Sequence, residues 1–494
     1  MNLIGIDLGS SSIKVALVEA LTGKCLVSAQ SPDGEMGMVA EFSGWAEQNP
    51  ALWLAHLESA LNKIKATGHD LKTVAGIGIS YQMHGLVLVD EHLQVLRPSI
   101  IWCDSRAVQQ GEELLEKIGQ NYAVHNLLNN PGNFTASKLA WVKANEPELF
   151  SKVKYAMLPG DWLATTLTGI ATTTFGALSE GIFIDYTTNT VSESLLKAID
   201  MSKNMLPVTV GTFARQGKIS IEMSERLGIS ANAEVTYRAG DQPNNAFSLN
   251  VINPGEVATN AGTSGVVYAV TNKLKADSKS RINLFAHVNH TSSNPRLGIL
   301  ACLNGTGIAY SWLRKLISDQ ETISYARLNS LAASSRAGSK SLKFYPFGNG
   351  TERFLENKPS SAGYVGLQFN EHAKPEMVRA TLEGISFALK YGVEIMSQME
   401  FVPRHFKAGN ANMFQSQEFQ KIFSTIMGTP LTIYNSDGAI GAARASGVGL
   451  GLYSIEEAAK LGLNALDVIE PDSALTSEYE ELYQKWKENI DTVN

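Results

Sequence analysis

Ile4-Gly-Ile-Asp-Leu-Gly-Ser-Ser-Ser-Ile-Lys-Val-Ala-Leu17 places two apolar segments on either side of a turn of small residues. Residues 3–6 and 14–19 have the length and composition of strands, so this stretch predicts a β-hairpin with a polar tip. A second stretch, Val257-Ala-Thr-Asn-Ala-Gly-Thr-Ser-Gly-Val-Val-Tyr-Ala-Val270, repeats the same pattern about half a chain later. The repeat indicates two domains of similar topology, each offering one turn to a shared cleft.

Segments of strand length alternate along the chain with segments of helical periodicity. Residues 74–79 and 86–89 also have the pattern of strands. Apolar residues recur three and four positions apart in five segments, which predicts helices over 50–66, 107–118, 138–144, 375–399 and 416–427. This alternation predicts an α/β protein with mixed or parallel sheets and a domain boundary near 247–254. The serine-rich residues 334–341 predict a mobile loop.

The composition is that of a large globular protein. A chain of 494 residues allows two to four domains of roughly 100 to 200 residues each and excludes a small disulfide scaffold. Hydrophobic residues make up 44% and charged residues 18%, which excludes extensive disorder. The net charge of 41 − 48 = −7 provides no cationic field, so we expect no nucleic-acid partner.

The cysteines and the N-terminal residues indicate in which cellular compartment the protein is found. Cys25, Cys103 and Cys302 are odd in number and far apart, so neither a disulfide framework nor a zinc site is indicated. The first seven residues lack the basic leader and longer apolar run of a secretory signal. No stretch approaches the roughly 18 apolar residues of a membrane helix. We therefore expect a cytoplasmic protein without a membrane partner.

The turn of the first hairpin has the chemistry of a phosphate site. Asp7 ends the strand and can hold Mg²⁺ through water, while Ser10, Ser11 and Ser12 can donate hydrogen bonds to phosphate oxygens. Lys14 adds positive charge. The same residues also suit a plain polar hairpin turn, and the segment leaves both interpretations open. No Gly-x-x-x-x-Gly-Lys-Ser/Thr motif exists in the sequence, so a P-loop is excluded.

Three small-residue turns in the second half also suit a ligand. They are Ala261-Gly262-Thr263-Ser-Gly265, Asn304-Gly-Thr-Gly307 and Ala408-Gly-Asn-Ala-Asn412. Each turn suits helix entry or close packing as well as ligand contact. Together they favour a nucleotide cleft.

Asp241 follows the strand-like residues 234–237 and precedes a small-residue helix start. It suits a helix N-cap, or a general base that accepts a hydroxyl proton during attack on phosphorus. Gln82-Met-His-Gly85 follows the strand at 74–79, where strand ends of α/β sheets meet ligands, and we expect His84 to orient a ligand. Asp104 and Arg106 suit either sugar hydroxyls or a pair with each other.

Taken in order, these motifs resemble those of the FGGY carbohydrate kinases of the actin-like ATPase superfamily. The matching segments are 5–14, 82–85, 102–106, Lys138-Leu-Ala-Trp141, Gly240-Asp241, 262–265, Tyr345-Pro346, and the second family signature at Gly366-Leu367, Glu376-Met377 and Ala380-Thr-Leu-Glu383. They run through nearly the whole chain.

The resemblance implies two ribonuclease H-like α/β domains that flank a deep cleft, with sugar bound by residues 1–247 and nucleotide by residues 248–494. It also implies ATP-dependent phosphorylation, with Mg²⁺, of the terminal hydroxyl of a ketopentose. The likeness is greatest to kinases that convert D-xylulose to D-xylulose 5-phosphate. Ribulose, fuculose or gluconate remain alternative substrates, and a non-catalytic actin-like ATP-binding scaffold is a further alternative. A homodimer is the expected assembly.

Residue chemistry and the resemblance together define the candidate sites. Asp241 matches the catalytic base, and Asp7 matches the acid that organises Mg²⁺ and phosphate; both are candidate metal ligands, Asp7 through water. The candidate sugar contacts are Gln82, Met83, His84, Asp104, Asp241 and Gln242. The candidate nucleotide and phosphate contacts are Ser10, Ser11, Ser12, Lys14, Gly262, Thr263, Gly307, Gly409, Asn410 and Asn412.

Some positions depart from the family pattern. Ala408-Gly409-Asn410 stands where the family usually has consecutive glycines. Gln242 follows Asp241 as in glycerol kinases, but Met83-His84 replaces the Arg-Glu pair of those enzymes, which disfavours glycerol. Asn133 and Ala144 depart from the first family signature.

Overall fold

The fold is described by a computed structural model that covers residues 1–348 and 350–490. The chain forms two compact units. The first unit contains Met1–Ile252, Phe285–Leu297 and Ser436–Leu463; the second contains Asn253–Leu284, Gly298–Asn435 and the described residues from Asn464 onward. Two segments beyond residue 248 therefore fold with the first unit. The division at 247/248 stays a prediction.

Six strands form the central sheet of the first unit. In chain order they are β1 Asn2–Leu8, β2 Ile13–Glu19, β3 Cys25–Ser31, β4 Val74–Tyr81, β5 Gly217–Lys218 and β6 Glu234–Gly240. Their order across the sheet is β5-β6-β4-β1-β2-β3. The predicted hairpin is confirmed, because β1 pairs antiparallel with β2. β4 pairs parallel with both β1 and β6, so these three strands end at one edge.

In the described part of the second unit, seven strands form the central sheet. They are β7 Glu256–Ala261, β8 Gly265–Thr271, β9 Asn283–Ala286, β10 Leu297–Leu303, β11 His405–Gly409, β12 Leu431–Tyr434 and β13 Ala465–Ile469, in the order β9-β10-β8-β7-β11-β12-β13. β7 pairs antiparallel with β8 and parallel with β11, which pairs parallel with β12. The strands β8-β7-β11-β12 therefore repeat the arrangement β2-β1-β4-β6. The repeated hairpin of the sequence marks two units of the same topology.

The five predicted helices are confirmed, with small shifts at their ends. They are Pro50–Ala66, Val108–Ile118, Thr135–Asn145, Lys374–Ser397 and Gln417–Met427. The other α-helices are Gln120–Tyr122, Pro147–Phe150, Pro159–Thr168, Phe175–Glu180, Glu193–Ile199, Ile221–Leu227, Asp241–Ser248, Gly307–Leu316, Tyr325–Ala333, Gly438–Gly449, Ile455–Lys460 and Thr476–Lys487. None of the helices in the described ranges is long and apolar enough to cross a membrane.

Short strands among the described residues form six two-stranded pairs outside the central sheets. The pairs are Glu47–Gln48 with Ser99–Ile100, Val87–Val89 with Tyr155–Met157, Thr172–Thr174 with Val208–Val210, Ile184–Asp185 with Thr190–Val191, Lys343–Pro346 with Ala362–Val365, and Thr351–Glu352 with Lys358–Pro359. The strand predicted over 86–89 is therefore confirmed as the short strand Val87–Val89.

The helix Gly438–Gly449 packs directly on the first sheet. A Cβ on Gly5 of β1 would lie 1.8 Å from the carbonyl oxygen of Ala439, and a Cβ on Gly78 of β4 would lie 1.9 Å from that of Ala442. Only glycine leaves room for the helix backbone at this distance. The segment Ser436–Leu463 belongs to the first unit because its helix is seated on these two strands.

We expect Gly78→Ala to lower the free energy of unfolding by about 3 kcal/mol or to prevent folding, because the helix and sheet backbones would have to separate. Thermal unfolding followed by circular dichroism measures the effect. Gly34→Ala is the control, since an added Cβ there has nothing within 4 Å and the residue is exposed. Equal midpoints for the two variants would contradict the close packing.

The prediction of a mobile loop over 334–341 is wrong. Gly338 and Ser339 are buried within this segment. The carboxylate of Glu383 accepts hydrogen bonds from the Gly338 N–H at 3.0 Å and from Ser339 Oγ at 2.9 Å. Arg379 Nε also donates to Glu383, at 2.9 Å. The small residues therefore allow the chain to surround a buried carboxylate.

Candidate active site

The first sheet brings three predicted motifs to one edge. Leu8 of β1 and Gly240 of β6 both pair with Tyr81, the last residue of β4. Asp7, the segment 82–85 and Asp241 therefore lie side by side at the ends of three adjacent strands. Since carboxyl ends of parallel strands are the usual ligand edge of such sheets, this is the candidate active site of the first unit.

Asp241 is the first residue of the helix Asp241–Ser248, and Gly240 occupies the cap position. The interpretation of Asp241 as an N-cap is therefore wrong. Burial, followed by the negative charge of Asp7, raises the pKa of Asp241 to about 7, although hydrogen bonds from Gln242 oppose the shift. A carboxylate with a pKa near neutrality is suited to general-base work.

Asp7 is half-buried beside the start of a helix. Its Oδ1 accepts a hydrogen bond from Ser80 Oγ at 2.8 Å, and burial raises the pKa of the carboxyl group. A Cβ on Gly438 would lie 2.6 Å from Asp7 Oδ2 and 2.8 Å from Asn245 Oδ1. Oxygen atoms of Asp7 and Asn245 therefore converge at the first residue of the helix Gly438–Gly449.

These residues fit Mg²⁺. The available donors, Asp7, Asn245 and Asp241, are all oxygen groups, which this cation prefers. The charge of Asp7 raises the pKa of Asp241, and a bound cation would relieve that repulsion. In residues 1–348 and 350–490, no three His, Cys, Asp or Glu side chains form a cluster able to hold a metal. Mg²⁺ commonly takes one or two carboxylates and completes its shell with water and phosphate oxygens.

Lys14 forms an ion pair with Asp437, a residue that the sequence analysis missed. Asp437 also caps a helix, because its Oδ1 accepts a hydrogen bond from the Ile440 N–H at 3.0 Å. The ammonium group of Lys14, which is predicted to contact phosphate, is therefore paired with the carboxylate of Asp437 at a helix N-terminus. The sequence could have indicated this residue, because Asp437-Gly438 before a run of alanine and glycine has the pattern of a helix start.

The serine turn is fixed by neighbouring segments. The Met36 N–H donates to the Ser11 carbonyl at 2.7 Å, and Gln48 Nε2 donates to the Ser10 carbonyl at 2.7 Å. Trp102 Nε1 donates to Ser10 Oγ at 3.2 Å, and half of the Trp102 side chain is exposed. The turn at 10–12 is thus held in place, with Trp102 as an aromatic neighbour that the sequence analysis did not assign.

His84 is tightly held after β4. Its φ of 62° lies in the left-handed region, which non-glycine residues adopt infrequently. The His84 carbonyl accepts a hydrogen bond from Lys138 Nζ at 2.9 Å, and Nδ1 lies 2.9 Å from the carbonyl oxygen of Glu180. The ring packs 4.7 Å from that of Phe134 and 5.1 Å from that of Phe285, between ring centres. The ring and main chain of His84 are therefore both anchored.

Gln82 and Met83 are almost completely buried. Gln82 Nε2 donates to Gln48 Oε1 at 3.3 Å, while Gln82 Oε1 has no hydrogen-bond partner among the described residues. Met83 contacts the end of β6, since a Cβ on Gly240 would lie 2.7 Å from Met83 Cγ. The segment therefore lies directly beside the residue that precedes Asp241.

Lys138 gives the site a testable pH dependence. Burial lowers the pKa of Lys138 to about 7, whereas an unfolded lysine titrates at about 10.4. Between these values the unfolded chain binds a proton that the folded chain does not, so folding becomes more favourable as pH rises. We expect the wild type to gain stability over Lys138→Met as pH increases from about 7 to about 10. The difference between the thermal midpoints of the wild type and Lys138→Met, measured across that range, gives this gain in stability.

Lys421→Met is the control for the loss of one lysine, because Lys421 is exposed. A difference between wild type and Lys138→Met that stays constant with pH would contradict the expected linkage.

Asp104 does not belong with the sugar contacts. It is completely buried, and Arg106 donates to its Oδ2 from Nε at 2.9 Å and from Nη2 at 2.6 Å. The Ala46 N–H also donates to Oδ2, at 2.6 Å. The structure therefore favours the interpretation that Asp104 and Arg106 pair with each other, and we withdraw Asp104 from the proposed sugar site.

The second unit contains a cavity of about 840 Å³ at the turn of its own hairpin. Among its lining residues are Gly262, Thr263, Gly307 and Asn412. The Gly307 N–H donates to the Gly262 carbonyl at 2.8 Å, and a Cβ on Gly307 would lie 2.3 Å from the same oxygen. Glycine at 307 thus allows the turn to rest on the N-terminus of the helix Gly307–Leu316.

Aromatic side chains form one wall of this cavity. The rings of Tyr310 and Tyr325 stack with centres 5.9 Å apart, and Arg314 lies 4.3 Å over the Tyr325 ring. Tyr310 OH donates to Asn329 Oδ1 at 2.7 Å. The cavity therefore has the size and mixed lining of a small-molecule site.

Gly409 and Asn410 lie beside this cavity rather than in its lining. Gly409 is the last residue of β11, and the Asn410 N–H donates to the Tyr434 carbonyl at 2.9 Å. Asn412 lies opposite the first turn, because its Nδ2 is 3.3 Å from a Cβ built on Gly262. Of the three predicted residues here, Asn412 contributes to the cavity directly.

Comparison with known proteins identifies the family of the chain. The chain matches the N-terminal domain of the FGGY family of carbohydrate kinases over residues 2–248 and the C-terminal domain over residues 257–450. The xylulose kinase of Lactococcus lactis subsp. lactis is 29% identical over 499 residues, covering 98% of this chain and 96% of that protein.

Two solved structures share the fold. The xylulose kinase and the gluconate kinase of Lactobacillus acidophilus are each 22% identical, with TM-scores of 0.90 and 0.89. Each alignment covers 99% of this chain and 98% of the other. With both family domains matched in order, this chain belongs to the FGGY family of ATP-dependent carbohydrate kinases and has the α/β fold of the actin-like ATPases.

Proposed function

We propose that this kinase transfers the γ-phosphoryl group of ATP to the terminal hydroxyl of D-xylulose, forming D-xylulose 5-phosphate. The observation that carries the proposal is the position and pKa of Asp241. This residue directly follows a central strand, and burial together with the negative charge of Asp7 raises its pKa to about 7. The similarity to the xylulose kinase of Lactococcus lactis supports the choice of sugar. The equally similar fold of a gluconate kinase makes gluconate the second candidate.

Asp241 acts as the general base. Its carboxylate accepts the proton of the sugar hydroxyl while that oxygen forms a bond to the γ-phosphorus and the bond to ADP breaks. The proton then leaves to solvent. Because the transition state of phosphoryl transfer is loose, Asp241 need not be a strong base, but it must both orient the hydroxyl and accept its proton.

Asp7, through water, and Asp241 would hold Mg²⁺, which neutralises charge on the β- and γ-phosphate oxygens when bound. Ser80 fixes Asp7 through the hydrogen bond to Oδ1. Ser10, Ser11 and Ser12 offer hydroxyl and main-chain donors to the phosphate. Lys14 is paired with Asp437, so its role is to balance charge at that helix N-terminus as well as at the phosphate.

The cavity of the second unit binds the nucleotide. Gly262 and Thr263 contact the γ-phosphate from the turn, where main-chain N–H groups can approach closely. The stacked rings of Tyr310 and Tyr325 suit a flat base. Gly307, Gly409, Asn410 and Asn412 complete the proposed adenosine contacts.

Gln82, Met83, His84 and Gln242 are the proposed sugar contacts. The unpartnered Gln82 Oε1 suits a sugar hydroxyl, and buried Met83 suits a carbon face. The anchoring of His84 by Lys138 supports an orienting role for that residue.

The experiment is ADP release from Mg-ATP with D-xylulose, L-xylulose, D-ribulose, L-ribulose, L-fuculose, D-gluconate and glycerol, each corrected for sugar-free hydrolysis. We expect kcat/KM to be about tenfold or more higher for D-xylulose than for the others. Mass spectrometry and phosphorus NMR then identify the phosphorylated position. Preference for gluconate or another sugar would overturn the substrate, and absence of any sugar-dependent turnover would overturn the activity.

Three other predictions remain open to experiment. Location in the cytoplasm is supported by the three cysteines Cys25, Cys103 and Cys302, which form no disulfide in the described part of the chain. Homodimer formation is tested by light scattering. The division of the chain into residues 1–247 and 248–494 is tested by limited proteolysis of the full chain.

A further inference from the structure

A small cavity adjoins the candidate active site of the first unit. Its volume is about 10 Å³, which is close to the room that one water molecule requires. Its lining includes Met83, Glu180, Arg238 and Gly240. The cavity is therefore bounded by both the predicted sugar segment and the residue before Asp241, together with two buried charged side chains.

Glu180 contacts both the segment 82–85 and the residue before Asp241. It ends the helix Phe175–Glu180 and only 2% of its surface is exposed. Its Oε1 accepts a hydrogen bond from the hydroxyl of Tyr81. Its Oε2 lies 2.7 Å from a Cβ built on Gly240, and its carbonyl oxygen lies 2.9 Å from His84 Nδ1. One residue thus contacts the main chain before Asp241 and the ring of His84.

Both charged residues at the cavity have unmet hydrogen-bonding capacity. Glu180 Oε2 and Arg238 Nη1 are buried and have no hydrogen-bond partner in the described part of the chain. Arg238 Nη2 donates to the Thr172 carbonyl at 3.0 Å, and Nε lies 3.2 Å from Asp161 Oδ1. Buried polar atoms are seldom left without partners, since each costs about 1–3 kcal/mol.

One water molecule within hydrogen-bonding distance of both atoms would satisfy them. Water accepts a hydrogen bond from Arg238 Nη1 and exchanges one with Glu180 Oε2, which provides the two polar partners that a buried water needs. Burial also raises the pKa of Glu180 well above its usual range, which favours the protonated carboxyl group and hence an O–H that can donate. The raised pKa therefore agrees with a water molecule that hydrogen-bonds to Glu180 Oε2.

We propose that Glu180 is a positioning residue for phosphoryl transfer: bound by Tyr81 on one side and by a water shared with Arg238 on the other, it fixes Gly240 and hence the direction of the Asp241 carboxylate. The proposal rests on the proposed role of Asp241 as the base. Nothing in it requires Glu180 to touch the sugar.

Three variants separate this role from alternatives. Glu180→Gln keeps the shape of the neutral carboxyl group, an oxygen for Tyr81 and an N–H donor for the water. Glu180→Leu keeps a similar volume but removes both interactions. Tyr81→Phe removes only the hydroxyl that binds Oε1, and it tests the same contact if Glu180→Leu does not fold.

Steady-state kinetics with the preferred sugar give the first readout. We expect Glu180→Leu to lower kcat by about tenfold with the KM for ATP unchanged, because the base is misdirected while the nucleotide cavity is intact. Glu180→Gln should restore most of that loss. Tyr81→Phe should show a smaller loss of kcat, and combining it with Glu180→Leu should add little.

The results that overturn the proposal are specific. A folded Glu180→Leu with wild-type kcat, or a Glu180→Gln as slow as Glu180→Leu, would exclude the positioning role. A changed KM for sugar with an unchanged kcat would identify Glu180 as a direct sugar contact instead.

High-resolution crystal structures give a readout that does not need turnover. We expect the water in the wild type and in Glu180→Gln, and a displaced Asp241 carboxylate in Glu180→Leu. A dry cavity in the wild type, or an unmoved Asp241 in Glu180→Leu, would overturn the proposal. If the wild type phosphorylates none of the sugars, the proposed function fails, and these structures alone decide the positioning role.

Discussion

Asp241→Asn is expected to lower kcat for sugar phosphorylation by about 10³-fold, with the affinity for ATP nearly unchanged. The amide keeps the size of the side chain and cannot accept the hydroxyl proton. The nucleotide cavity belongs to the second unit and its lining does not include Asp241. ADP release measures kcat, and calorimetric titration with ATP measures binding.

Asp33→Asn is the matched control, because the Asp33 side chain is 88% exposed and the change removes the same charge. The control should keep wild-type turnover. Near-normal turnover of Asp241→Asn would show that another group accepts the proton.

Gly438→Ala is expected to lower kcat/KM by about 10²-fold, because the new Cβ would meet Asp7 Oδ2 at 2.6 Å and Asn245 Oδ1 at 2.8 Å. Either the helix start or Asp7 must move, and both belong to the proposed metal and phosphate site. We also expect a higher Mg²⁺ concentration at half-maximal rate. Titration of Mg²⁺ at fixed ATP measures it.

Gly37→Ala is the control for this substitution, since Gly37 is exposed and an added Cβ has nothing within 4 Å. Thermal unfolding of both variants separates catalytic loss from instability. A fully active Gly438→Ala would show that the oxygens facing this helix start are not part of the site.

Local patterns predicted the parts of the structure that local interactions determine. The hairpin β1–β2 and the helix Pro50–Ala66 follow from alternating or helical apolar periodicity and from clear turn and cap residues. Asp7, His84 and Asp241 were found because each follows a strand in sequence. Parallel pairing then brings those strand ends together, as the pattern predicts.

Contacts between distant segments could not be predicted in this way. Asp437 pairs with Lys14 across 423 positions, and nothing near either residue specifies the other. Glu180 lies in a six-residue helix without a recognisable motif. The segment 334–341 has a loop-like composition, but a buried glutamate far along the chain determines its packing. Asp104 shows that short-range pairing was predictable, because the sequence offered the ion pair with Arg106, two residues away, as one of its two interpretations. The hydrogen bond from the Ala46 N–H to Asp104 was not predictable in the same way, because it joins residues 58 positions apart.

The late segment Ser436–Leu463 has a consequence for biosynthesis. Its helix covers Gly5 and Gly78 on strands that leave the ribosome hundreds of residues earlier. Because a nascent chain folds from its N-terminus as it emerges, one glycine-lined face of the first sheet stays uncovered until residues 438–449 have been made. A premature stop codon anywhere before this helix would therefore leave the first unit without the helix that covers its sheet.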